Sequence, residues 1–234
     1  MNSARPVGWK RQAAAILLFG ISFGYVEAAV VTYLRPQFDA AQARSHPQGS
    51  RGDLFPMLTA DQAKAAGPEM VRLVATEVAR EAATLVMLGA VAAAVGTGFR
   101  QGLAFFLMAF GAWDIAYYAF LKVLIDWPKS LLTWDILFLI PVPWSGPVLA
   151  PVLVSATMIG AAIAYLWHES KGHSIKPSVF HWIGICLAGL IIVDAFTLDF
   201  PNVMAGGMPG PFPWALFGFG EAIGVLAFLH ALHR

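Results

Sequence analysis

The chain has 234 residues, 58% of them hydrophobic and only 12% charged, with a mean hydropathy of +0.66 and a formal charge of +1. These values lie outside the soluble range and predict an integral membrane protein; the balanced charge excludes the basic stripe that nucleic-acid binding requires. At roughly 20 residues per span, this length accommodates about six transmembrane helices and one modest loop. A single all-α polytopic domain over residues 1–234 is therefore expected.

The first apolar run, Ala13 to Leu34, follows Lys10 and Arg11 and is expected to stop at Arg35-Pro36, since a proline removes a helical hydrogen bond. A basic start before an apolar run also resembles a secretion signal, with Ala41-Gln42-Ala43 as a cleavage pattern, but Glu27 and the length of the run fit a span better. Residues 36–68 read as a polar, non-cytoplasmic loop, with a turn at Pro47-Gln48-Gly49-Ser50 and a short surface helix over 58–66 that starts near Thr59.

The second span, Met70 to Val95, and the third, Leu103 to Ile125, are joined by a tight Gly96-Thr97-Gly98 turn. Leu131 to Ile140 is apolar but too short to cross and lies before Pro141, Pro143 and Pro147; it is expected to be an interfacial or re-entrant helix over 131–140. The remaining spans are Val148 to Trp167, Val179 to Leu198 and Trp214 to His230, with a Gly/Pro-rich loop from Pro201 to Pro213 between the last two. Trp127, Trp134, Trp144, Trp167, Trp182 and Trp214 fall near span ends, as an aromatic belt requires. Arg5, Lys10, Arg11, Arg100, Lys171, Lys176 and Arg234 share one side, which the positive-inside rule makes the cytoplasm, with both termini there and a bacterial inner membrane as the location.

Within these apolar runs stand Glu27, Glu77, Glu81, Asp114, Asp194 and Glu221. A charge near the bilayer centre costs roughly 2.5 to 3.5 kcal/mol on insertion scales, so such residues face a bundle interior and serve a purpose. At about 1.5 Å per residue all six fall in one leaflet. Glu77, Arg80 and Glu81 are spaced to share a helix face, which predicts an internal ion pair; a wet helix end that includes Glu69 and Arg72 is the plainer alternative. Glu27 and Glu221 sit in similar small-residue settings, Gly24-Tyr25-Val26-Glu27 and Gly218-Phe219-Gly220-Glu221, a faint echo of an internal repeat. Asp114 is followed at three and four residues by Tyr117 and Tyr118, a carboxylate with phenol donors in reach. Trp134-Asp135-Ile136 repeats the Trp113-Asp114-Ile115 tripeptide, with Asp135 expected at the interface. Asp199 is expected to be solvated and Lys122 to snorkel.

Other chemistries find little support. The six histidines lie in loops or at helix ends, without HExxH, Glu-x-x-His pairs or CxxCH, and Cys186 alone forms no intrachain disulfide and reads as a small buried hydrophobe. An oxygen-only set of Glu and Asp suits protons, Na+ or a hard divalent cation; Met204 and Met208 are soft copper ligands in principle but more ordinary as packing. No metal or other cofactor can be assigned. GxSxG, Walker A and Rossmann glycine patterns are all missing.

Three functions fit. The leading expectation is a proton- or cation-coupled transporter of a small solute; the second is a membrane-embedded enzyme using a buried Glu or Asp as general acid on a lipid or isoprenoid-like substrate; the third is a non-catalytic subunit or assembly factor of a larger membrane complex. Catalytic candidates are Glu81, Asp114 and Tyr118; ligand- or ion-binding candidates are Glu27, Glu77, Arg80, Tyr117, Asp194 and Glu221. Expected partners are the lipid bilayer, a small solute, ion or lipid, and a further copy of the chain or a larger membrane complex.

Overall fold

A computed structural model describes residues 8–48, 55–173 and 175–233; Arg5, Arg51, Asp53, Arg234 and the Gly49-Ser50 half of the expected turn lie outside the described residues. The described chain forms α1 (Trp9–Ser45), α2 (Ala60–Ala65), α3 (Pro68–Val95), α4 (Phe99–Ile125), β1 (Trp134–Phe138), β2 (Trp144–Pro147), α5 (Leu149–Ser170), α6 (Val179–Thr197), α7 (Phe200–Met204) and α8 (Trp214–Leu232). Six helices, α1, α3, α4, α5, α6 and α8, are long and apolar enough to cross a membrane, so the protein is an all-α polytopic membrane protein carrying one small hairpin.

The bundle is organised around α4, the most buried of the six spans, against which α1, α3 and α5 pack; α6 and α8 form a second pair that meets α5 and β2. Lipid tails give helices no hydrophobic reason to associate, so close packing of small residues has to hold them together. At Gly20 a side-chain carbon would lie 2.7 Å from the Ala109 carbonyl, and at Gly24 2.7 Å from that of Trp113, so α1 rests on the α4 backbone itself. Gly111 does the same between α4 and α5, where a side-chain carbon would stand 2.6 Å from the Ser155 carbonyl. In the terminus-side half this packing produces a solid core that includes Ile16, Leu88, Phe105, Met108, Ala109 and Leu166. Outward-facing Leu18, Val26, Val86, Phe180 and Leu190 are left for lipid.

Four expectations are corrected. Pro36 does not end the first helix: α1 continues to Ser45, so the first part of 36–68 is helical. The extension is held by docking, with Arg35 and Ala41 buried and Gln42 donating to the Pro56 carbonyl at 2.7 Å, which offsets the backbone bond a proline forfeits. Residues 131–140 are not helical. They supply β1, which pairs antiparallel with β2 in the register Trp134↔Pro147, Asp135↔Gly146, Ile136↔Ser145, with a bulge before Phe138↔Trp144. Alternating large β-formers and three prolines within seven residues favour extended chain over helix there. Part of the expected loop 201–213 is helical, as α7. Finally, Cys186 is exposed on the outer face of α6 rather than buried, because that helix is apolar all round. The expected surface helix is present as α2, closed by a reciprocal capping box between Thr59 and Gln62.

Candidate functional site

On the side away from the termini, the bundle opens into a cavity of about 450 Å³. Its inner end, the floor, and its sides carry ionisable and apolar side chains together. α1 contributes Glu27 and Arg35; α3 contributes Glu77, Arg80, Glu81 and Thr84; α4 contributes Trp113, Asp114, Tyr117 and Tyr118. The hairpin from Ile136 to Pro143, Met57 and Leu58 before α2, and Phe200 and Met204 of α7 form the rim.

The ion pair expected within α3 is present, Arg80 Nε donating to Glu77 Oε2 at 2.8 Å, and the same guanidinium donates through Nη1 to Glu27 Oε1 of α1. One arginine thus ties two carboxylates on two helices, an arrangement that holds charge inside a membrane only because each partner is matched. Glu69 and Arg72, by contrast, form an exposed pair at 3.5 Å, so the wet end of α3 stops short of Glu77, which is 8% exposed. Glu81 points the other way. Both its oxygens accept the Leu139 N–H, at 3.1 and 2.9 Å, which fixes the hairpin over the floor.

Asp114 accepts from Ser155 Oγ of α5 at 2.8 Å and not from the tyrosines that follow it. The Tyr118 hydroxyl is instead 3.0 Å from Asp135 Oδ2 in β1. Asp135 was expected at the interface but is 1% exposed, with Arg35 nearby in charge terms and Arg35 itself stacked 4.7 Å over the Trp127 ring. Outside the spans, burial pushes Asp135 up to about 7, opposed by the Tyr118 hydrogen bond and Arg35. At the end of α4 the exposed Asp126 goes the opposite way, held at about 2 by hydrogen bonds from Lys122 at 2.6 Å and Lys129 at 2.7 Å, so Lys122 is paired rather than merely extended toward water.

Two expected members of the slab stand elsewhere. Glu221 accepts from Thr157 at 2.8 Å between α8 and α5, and Asp194 is exposed on α6; neither lines the cavity. The resemblance between the surroundings of Glu27 and Glu221 therefore has no counterpart in a shared site. Asp199 is occupied in organising the α7 loop, accepting from the Gly210 N–H at 2.7 Å. Sequence reasoning missed Arg35, Thr84, Ser155 and the hairpin backbone as parts of the site. The repeated Trp-Asp-Ile tripeptide was the one available sign that Asp135 belonged with Asp114.

His181 and His230 come together at the terminus side, Nε2 to Nδ1 at 3.1 Å, but among the described residues no three His, Cys, Asp or Glu side chains converge as metal ligands. Comparison with known protein families, with curated proteins and with solved structures finds no match to the chain.

Proposed function

We propose that this protein is a membrane-embedded enzyme that performs acid–base chemistry on an amphiphilic, lipid-like substrate, working as one polytopic unit in a bacterial inner membrane with its termini in the cytoplasm. The observation that carries this reading is the size and mixed chemistry of the cavity: about 450 Å³, within the range of small-molecule sites, lined by the ionisable Glu27, Glu77, Arg80, Glu81 and Asp114 together with apolar side chains such as Val31, Leu34, Val74 and Val78. A polar head beside the ionisable side chains and a tail along the apolar ones match that lining. Below the floor α1 rests on α4 at Gly20 and Gly24, where an added side-chain carbon would stand 2.7 Å from a backbone carbonyl, so the packing favours a fixed, one-sided pocket over a passage.

In this reading Glu81 and Asp114 are the proton-transfer groups, since each is held by a single neutral donor and neither is tied to a guanidinium. Glu27, Arg80 and Glu77 are positioning residues that set the spacing of α1 and α3. Tyr118 positions the hairpin through Asp135.

One observation favours a proton- or cation-coupled transporter as the second reading: the lining holds four carboxylates, Glu27, Glu77, Glu81 and Asp114, against two guanidiniums, Arg35 and Arg80. One experiment separates the two. Lipid profiles of cells producing the wild type, Glu81→Gln or Asp114→Asn are compared by mass spectrometry, and the same three proteins are tested for proton flux in liposomes. A lipid conversion present only with the wild type, from variants that remain folded, is the expected result. Unchanged lipids with a flux abolished by Glu81→Gln would replace the enzyme with the transporter.

A further inference from the structure

The cavity's charge balance narrows the class of amphiphile. We infer that its occupant carries an ammonium head and not a phosphate or diphosphate; this rests on the reading of the cavity as a site for a membrane amphiphile. Among the described lining residues the only cationic side chains are Arg35 and Arg80, and both are engaged. Arg80 already lies between Glu27 and Glu77, its charge balanced twice over. Arg35 is buried against the face of Trp127. No guanidinium fork is therefore offered to an incoming phosphate, the recognition that buried anionic heads require.

Two carboxylates remain, Glu81 and Asp114, matched only by the Leu139 N–H and the Ser155 hydroxyl. When ionised, each lies in a bundle where water screens poorly, so a cation beside it gains more than it would in water. An anion is repelled there for the same reason. The aromatic side chains of the lining, Trp113, Tyr117 and Tyr118 on α4 with Phe38 and Phe138 from the walls, add ring faces that attract an ammonium further. The apolar walls of Val31, Leu34, Val74 and Val78 provide the length for a tail, and their position between α1 and α3 sets the tail beside the spans.

The test uses the full-length protein in lipid nanodiscs, titrated separately with tetradecylamine, tetradecanol and tetradecyl phosphate, and read by tryptophan fluorescence and thermal stability. Saturable binding of the amine about tenfold tighter than either of the others is expected, and Glu81→Gln combined with Asp114→Asn should erase that preference while tetradecanol binding persists. Glu81→Gln alone, in which the amide oxygen still accepts the Leu139 N–H, serves if the double variant does not fold, and should reduce the preference. Glu169→Gln, on α5 at the opposite end of the bundle, should leave it intact. Tighter binding of the phosphate, or equal binding of all three, would overturn the ammonium assignment and leave the amphiphile reading standing. If none of the three binds saturably, the amphiphile reading itself falls.

Discussion

Asp135 ties the hairpin to the bundle, and its chemistry makes that tie sensitive to pH. It is 1% exposed, and burial holds its carboxyl near 7 against an unfolded value of 3.8. Between those two values the folded chain retains a proton that the unfolded chain has released. Stability is therefore fully present below about pH 4 and is lost as pH rises toward 7, the direction opposite to a salt-bridged carboxylate. Thermal unfolding in mild detergent should show the midpoint falling across that window, and Asp135→Asn should flatten the profile. Tyr118→Phe removes the hydroxyl that supports the ionised form, at 3.0 Å from Oδ2. Its cost should be about 1–3 kcal/mol above pH 7, the range for a buried acceptor that loses its donor, and smaller at pH 5, where the carboxyl is protonated. An equal cost at both values would show that the hydroxyl acts through packing alone.

Among the elements, the α1–α4 pair decides whether the cavity exists, because Glu27 lies one turn past Gly24 and Trp113, Asp114, Tyr117 and Tyr118 lie directly across. A methyl group at Gly24 would meet the Trp113 carbonyl at 2.7 Å and the Tyr117 nitrogen at 2.9 Å, both backbone atoms that move only if the helices part. Gly24→Ala should destabilise by about 1–3 kcal/mol through overpacking, despite the better helix propensity of alanine, and should weaken binding in the cavity. Gly89→Ala on α3 meets nothing within 4 Å and should instead be neutral or stabilising by up to about 1 kcal/mol; thermal unfolding of the two side by side separates contact from propensity. The spans themselves were legible in the sequence because hydropathy and length determine them without reference to neighbours. Glu77 with Arg80 was legible for a similar reason, being one turn of one helix. The link from Arg80 to Glu27, the Ser155 partner of Asp114 and the diversion of Tyr118 to Asp135 depend on how separate elements meet, which spacing along one helix does not encode. The helical continuation through Pro36 was hidden likewise, since tertiary contacts outweigh the local signal there, whereas the β-forming residues and prolines of 131–147 did carry a local signal for extended chain, and only the pairing of β1 with β2 depends on how the segments meet.

At the level of the whole molecule, access to the site is set by topology. With six spans both termini lie on one side, and the connections from α1 to α3, α4 to α5 and α6 to α8 all lie on the other. Those three connections supply the rim of the cavity through Met57, the hairpin and Met204, whereas the core of Leu88, Phe105, Met108 and Leu166 fills the bundle toward the termini. Water and impermeant solutes should therefore reach the rim from one face only, the periplasmic one if the Lys and Arg bias places the termini in the cytoplasm. The lone cysteine makes this measurable: in a Cys186→Ser background, cysteines placed at Met204, on the rim, and at Gly98, in the extended turn between α3 and α4, report opposite faces. A membrane-impermeant maleimide applied to spheroplasts should label Met204→Cys directly and Gly98→Cys only after permeabilisation. The reverse pattern would invert the orientation while keeping the cavity one-sided. A Thr84→Cys probe on the cavity floor carries the argument further, because Thr84 is 2% exposed and borders the packed core. Labelling of that position from the Met204 face alone fits a fixed pocket. Labelling from both faces would require the glycine-locked helices to separate and would make alternating access, and with it transport, the better account of the carboxylates.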